Sequence, residues 1–289
     1  MLQVARLAPN LLAEAAPKVV AFLEGQLNGD GGAANRAGTS DLYYTAFVLD
    51  GLVALRAPLP VQQVTGYLNG FGNGLELDLV HKACLVRCWK ALEQGWPTAH
   101  FPREMLRDLE SHRSSDGGYA MEREQSHGTL YHSFLALGVY QDFDAQIPQT
   151  PALLASIERL RSQDGAYGNS LSMKLGTTPS TAAAAALMGQ LGQRPAPQVG
   201  QWLLMQQHPQ GGFKASPDTP LPDLLSTGTA LHALSTLGLS IGERKEITLD
   251  FLDSLWSGQG FYAFWEDDGL DGEYVYYALL ALGHLSLLS

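Results

Sequence analysis

The chain has 289 residues, 45% of them hydrophobic and 16% charged, which is ample apolar material for a large core and excludes a disordered composition. Eighteen Lys and Arg stand against 29 Asp and Glu, a formal net charge of −11, and no basic stripe recurs, which argues against nucleic acid as a partner. The apolar stretch at Met1–Ala16 is broken by Pro9, Asn10 and Glu14, and the apolar run Tyr274–Leu288 is too short to span a bilayer comfortably. Both ends therefore read as core helices of a cytoplasmic protein rather than as a leader or an anchor.

Along the chain a glycine-rich turn recurs. It appears as Asn28-Gly-Asp-Gly-Gly32, in degenerate form as Gly70-Phe-Gly-Asn-Gly74, then as Ser115-Asp-Gly-Gly-Tyr119, Gln163-Asp-Gly-Ala-Tyr167, Gln210-Gly-Gly-Phe213 and Gln259-Gly-Phe-Tyr262. The marker glycines 31, 72, 117, 165, 211 and 260 are separated by 41, 45, 48, 46 and 49 residues, the signature of one structural unit used six times. Before each marker lies an amphipathic segment such as Pro151–Arg161, which predicts an outer helix. After each lies a segment apolar nearly all round, such as Thr45–Leu55 or Thr229–Leu237, which predicts an inner one. Prolines 58, 60, 97, 148, 151, 195 and 197 fall between an inner helix and the next outer one.

The last inner segment, Tyr274–Leu288, is too apolar to end an open solenoid, so the units are expected to close into a ring that covers it against the first. The predicted architecture is all-α: an (α/α)6 toroid made as a single domain over residues 1–289, with inner helices around a central cavity. Cys84 and Cys88, four apart on one inner helix, read as buried reduced thiols, or with His81 as a face able to present metal ligands.

Turns of this form followed by Asp41-Leu-Tyr-Tyr-Thr-Ala46 resemble those of the protein prenyltransferase β subunits and the squalene and hopene cyclases, over essentially the whole chain. The resemblance implies a site in the central cavity near the N-terminal ends of the inner helices. In the repeat register these starts are Asp41, Asp78, Thr129, Thr177, Asp223 and Asp271; three residues on stand Tyr44, His81, His132, Ser180, Ser226 and Tyr274. The prenyltransferase zinc triad of Asp, Cys and His would fall on Asp223, Leu225 and Tyr274, so two ligands are missing and no cofactor is expected. The cyclase Asp-x-Asp-Asp-Thr motif finds partial echoes in Asp41–Thr45 and in Asp271-Gly-Glu273, while the Trp of the cyclase Gln-Trp repeats is absent.

The candidate catalytic groups are therefore Asp41, Asp78, His81, His132, Asp271 and Glu273, and the candidate ligand-binding groups Tyr43, Tyr44, Tyr131, Asp223, Tyr274 and Tyr277. Each has an ordinary structural role as well: Asp at a helix start is a cap, and aromatics pack. An aromatic cavity suits an apolar, isoprenoid-like small molecule or lipid. The functional expectation is a divergent prenyltransferase-like or terpene-cyclase-like protein. The alternative is a non-catalytic binder of lipid or peptide, or a scaffold for a helical protein partner.

Overall fold

A computed structural model describes residues 1–288. Two short helices, α1 (Leu2–Ala5) and α2 (Pro9–Leu12), precede a strict alternation of outer and inner helices. The outer ones are α3 (Ala16–Gly25), α5 (Val61–Asn69), α7 (Phe101–Glu110), α9 (Thr150–Arg159), α11 (Pro197–Met205) and α13 (Lys245–Ser254). The inner ones are α4 (Leu42–Ala54), α6 (Leu79–Leu92), α8 (Leu130–Asp142), α10 (Thr178–Gln190), α12 (Leu224–Thr236) and α14 (Gly272–Ser286). Each inner helix packs on the next, and α14 packs on α4, so the ring is closed as the apolar C-terminal helix required. Among the described residues strand is confined to two-residue antiparallel pairs, Ala33–Ala34 with Ser40–Asp41 and Phe213–Lys214 with Pro222–Asp223.

The recurring turn is a device for docking one hairpin on the next. Gly31 and Gly211 both have φ near +95°, and a Cβ on either would collide with the carbonyl of Gln63 or Ile247 in the following outer helix. Only glycine meets both demands. The turn carboxylates lock the loop: Asp116 accepts from Ser114 Oγ and from the amides of Gly118 and Gly128, and Asp164 accepts from Ser162 Oγ and Ala166 N. Beyond the turn, the amides of Ala33, Tyr119, Tyr167 and Phe213 donate to Thr45, Ser133, Thr181 and Thr227 at 2.8–3.1 Å. These hydroxyls all stand four residues past an inner-helix cap, which explains the recurrence of Thr or Ser there.

At the opposite end α1 and α2 lie across α14, where Gly283 lets the backbone of Val4 approach so closely that a Cβ would strike its carbonyl. Cys84 and Cys88 are buried free thiols. Among the described residues no helix is long and apolar enough to cross a membrane.

Candidate functional site

The six inner-helix starts read from the repeat are the six N-caps. Asp41 accepts from Tyr43 N and Tyr44 N, Asp78 from His81 N, Thr129 from His132 N, Thr177 from Ser180 N, Asp223 from Ser226 N and Asp271 from Tyr274 N. Each satisfies amides that have no partner within the helix and places its carboxylate or hydroxyl at the positive end of the dipole.

Which side chains then face the barrel axis follows from helical geometry. At 100° per residue, positions two, six, nine and thirteen past the cap fall in one sector of about 60°, whereas position three points well to one side. The contacts across the ring agree. At the second position Tyr43 Oη donates to Glu273 Oε1 at 2.7 Å, from α4 to α14. At the sixth the rings of Phe47 and Tyr277 lie 5.6 Å apart. At the ninth the Arg87 guanidinium pairs with Asp50 and lies over the rings of Phe47 and Tyr276, each 5.4 Å away. Opposite this aromatic and charged wall, α10 places Pro179, Ala183 and Ala186 at the second, sixth and ninth positions, and α12 places Leu225 and Thr229 at the second and sixth, with His232 at the ninth. The interior is therefore asymmetric, crowded on one side and lined mostly by smaller groups on the other.

Glu273 is the group whose chemistry stands out. Burial raises its carboxyl to about 7, the Tyr43 hydrogen bond opposes this, and the neighbouring Asp271 adds to it. Burial first, and the Glu273 charge next, also push the Tyr43 hydroxyl far above the usual range, so Tyr43 remains a donor. Burial also raises the Tyr131 and Tyr277 hydroxyls, with a smaller contribution from the same carboxylate. Asp271 itself is occupied structurally. Its Oδ2 accepts from Arg36 Nε at 2.7 Å while Arg36 also grips Asp267 through both terminal nitrogens at 2.8 and 2.9 Å. That clasp ties the loop before α4 to the loop before α14 across the closure of the ring.

The histidines do other work. His81 Nδ1 contacts both carboxylate oxygens of Asp78 at 2.9 Å. Burial opposes ionisation of Asp78, but the His81 amide and ring hold its carboxyl below the ordinary value. His132 Nδ1 is 2.7 Å from Thr129 Oγ1, burial lowers its pKa, and its Nε2 is buried without a partner. Among the described residues the two rings are not hydrogen-bonded to one another, nor do three or more His, Cys, Asp or Glu side chains gather around a cation site. Asp223 spends both oxygens on Ser226, and Leu225 brings only hydrocarbon, so the donor set at this place does not match the prenyltransferase zinc triad.

A cavity of about 690 Å³ lies among the middle and C-terminal halves of α4, α6 and α8, with Met1–Gln3, Arg6, Gln190 and Tyr276 also in its lining. Asp50, Arg87, Gly138, Asp142 and Gln190, axial positions nine and thirteen, are in its wall together with Cys84 from position six. Burial raises the Asp142 carboxyl to about 6, against the pull of Arg87. None of the twelve residues singled out from the sequence lines this cavity; they stand in the N-terminal halves of the inner helices, where Tyr43, Tyr131, Glu273 and Tyr277 take axial positions. The other eight are caps or their third-position neighbours. Arg87, Asp50 and Asp142 escaped the sequence reading, although a single charge inside an otherwise apolar inner helix, as in Phe47-Val-Leu-Asp-Gly-Leu52, is a usable signal. His284 is buried against His232, 3.0 Å between ring nitrogens.

Comparison with known proteins follows the same lines. The model of the prenyltransferase α/α toroid domain matches residues 180–288. No curated protein matches the chain in sequence. Among solved structures, protein geranylgeranyltransferase-I of Candida albicans, complexed with GGPP, superposes with a TM-score of 0.69 at 15% identity, covering 91% of this chain and 89% of that one. A type II terpene cyclase from Scytonema, in complex with geranylgeranyl dihydroxybenzoate, gives 0.68 at 15% identity over 96% and 97%. A polysaccharide lyase gives 0.62 at 10% identity over 96% and 97%, so the fold alone does not select a substrate. The chain has the α/α toroid fold of these proteins, and its C-terminal part matches the prenyltransferase α/α toroid domain.

Proposed function

We propose that the protein binds an apolar, isoprenoid-like molecule along the barrel axis and that Glu273 is the group through which it would act on that molecule. The observation that carries this reading is the axial cluster itself: a carboxyl hydrogen-bonded to Tyr43, whose ring packs on Phe47, itself beside Tyr277, with a cavity of about 690 Å³ toward the other end of the inner helices. That volume lies within the range of roughly 300–1,000 Å³ typical of small-molecule sites. Both the geranylgeranyltransferase and the Scytonema cyclase carry geranylgeranyl ligands in this fold, which supports the same class here.

A carboxyl raised to about 7 exchanges protons readily near neutral pH, the optimum for general acid–base catalysis. The same elevation makes it a weak acid, poorly suited to protonating an isolated alkene. The chemistry favoured is therefore proton transfer to or from an activated position of the ligand, with Tyr43 stabilising the carboxylate while the proton is away. The acidic caps at the mouth, Asp41, Asp78 and Asp223, disfavour entry of a diphosphate from that side.

The test is incubation of the purified protein with neutral polyprenes, geranylgeraniol and squalene, followed by native mass spectrometry for binding and gas chromatography for products. Wild type should retain a polyprene, and any conversion should vanish in Glu273→Gln while binding persists. Binding without conversion in wild type selects the non-catalytic carrier. No binding of either probe removes the proposal, leaving the scaffold reading.

A further inference from the structure

The inner helices all begin at the mouth, so their C-terminal ends gather at the end of the barrel that carries the cavity, and the last turns of α4, α6, α8 and α10 contribute Val53, Lys90, Gln141 and Gln190 to its wall. Carbonyls without a partner at a helix C-terminus carry partial negative charge and favour a cation. The side chains of the wall pair off until one carboxylate is left. Arg87 is held by Asp50, Lys90 pairs with Asp144 at 3.2 Å, and Arg6 and Glu93, of opposite sign, line both this cavity and the adjoining surface groove. Burial, and then Arg87, hold the amino group of Met1, another lining residue, below its ordinary value. Asp142 remains. Its main-chain carbonyl accepts from Lys90 Nζ at 2.9 Å, but its carboxylate has neither an ion pair nor a hydrogen bond among the described residues. Nor are its oxygens among the six buried side-chain atoms that are sealed off without a partner, so they are open to the cavity. Burial raises this carboxyl to about 6, so its ionised form gains from a cation brought beside it. Trp89, Trp96, Phe134 and Tyr276 line the same space, and aromatic rings hold an organic cation better than aliphatic groups do.

We propose that the cavity takes the cationic head of an amphipathic ligand, with the Asp142 carboxylate as its counter-ion, the aromatic side chains around it and the hydrocarbon tail directed along the axis toward Glu273. This rests on the apolar-ligand reading above and narrows it to a long-chain amine or quaternary ammonium. Asp142 is thirteen residues past its cap and Glu273 two, and eleven residues of helix rise about 16 Å. The charge therefore stays well away from Glu273 while the tail approaches it. The net charge of −11 and the acidic caps at the mouth, which disfavour an anionic ligand, attract this one.

Calorimetric titration with geranylgeranylamine and with geranylgeraniol, which differ only in the head, separates this proposal from the one beneath it. Wild type should bind the amine at least about tenfold more tightly than the alcohol. Asp142→Asn removes a carboxylate that burial disfavours, so Tm at pH 8 should be unchanged or higher, while the amine weakens about fivefold or more and the alcohol binds as before. Asp253→Asn, an equal change of net charge on the exposed face of α13, should bind both probes like wild type. Equal affinity for amine and alcohol overturns the cationic site while leaving the apolar-ligand reading intact, and so does an Asp142→Asn protein that binds the amine like wild type or loses both probes alike. An Asp253→Asn protein that weakens the amine as much as Asp142→Asn overturns it too, since attraction to the overall charge would then explain the preference. Failure of both probes to bind wild type overturns both readings.

Discussion

The two ends of the barrel are built on opposite principles. At the N-terminal ends of the inner helices every start has its own cap, the turn carboxylates are saturated with amides, and Arg36 closes the ring by taking two carboxylates at once. At the other end a void remains, with a charged pair, Arg87 and Asp50, and the raised carboxyl of Asp142 in its wall. Satisfied polar groups stabilise a fold, and unsatisfied ones next to empty space are where a ligand gains most. Recurrence in sequence therefore marks the end that holds the protein together, and exceptions to the recurrence mark the end that has something left to bind.

The largest effect that tests this contrast is at the lower end. Asp50→Ala leaves the Arg87 guanidinium without its carboxylate partner, and breaking a buried pair from one side costs about 3–5 kcal/mol. Chemical denaturation should show a loss of at least about 3 kcal/mol; a loss below about 1 kcal/mol would mean that water already solvates the pair. Next comes the closure of the ring. Arg36→Ala leaves Asp267 and Asp271, whose side chains are 4% and 2% exposed, without their cation. A cost of about 2 kcal/mol is expected, together with faster amide exchange in the loops before α4 and α14. An unchanged exchange pattern there would show that helix packing alone closes the ring. A single cap is worth less: Asp78→Ala should cost about 1 kcal/mol, and Asp78→Ser should recover most of it.

The pH dependence sharpens the same comparison at Glu273. Its folded value, about 7, lies above the ordinary value of 4.5, so the carboxyl takes up a proton on folding. The stability this contributes is fully present below pH 4.5 and is lost as pH rises through about 7. Glu273→Gln, neutral at every pH, should flatten the profile of Tm between about pH 5 and 8 relative to wild type. Identical profiles for the two proteins would place Glu273 in contact with bulk water and remove it as the axial acid.

Much of the fold was legible because it repeats. Turn glycines needed for both a positive φ and a close approach cannot be replaced, so their spacing survives in the sequence; the caps at Asp41, Asp78, Thr129, Thr177, Asp223 and Asp271 follow from it by counting. The candidate site was legible only in part. Counting locates a helix start but not which side of the helix faces the axis, and the third-position residues, His81, His132 and Tyr274 among them, lie beside their own caps. Glu273, Tyr43, Tyr131 and Tyr277 were within reach because they share axial positions two and six. The Arg87–Asp50 pair was harder to read: it joins the ninth positions of α4 and α6, 37 residues apart, and no Asp or Arg stands at that position in the other four inner helices.

If a ligand sits in the axial cavity, Gly138 is the position that shows it most directly. It lies in the cavity wall on α8, and a Cβ built there meets nothing within 4 Å. Gly138→Leu therefore starts its side chain in open space at the cavity wall and replaces glycine in a helix, which should raise helix stability by up to about 1 kcal/mol. The expected variant has a Tm equal to or above that of wild type and an affinity for geranylgeraniol at least tenfold lower. A variant that is equally stable and binds the polyprenol as wild type does would contradict an axial ligand, because the cavity would then be filled with no consequence for binding.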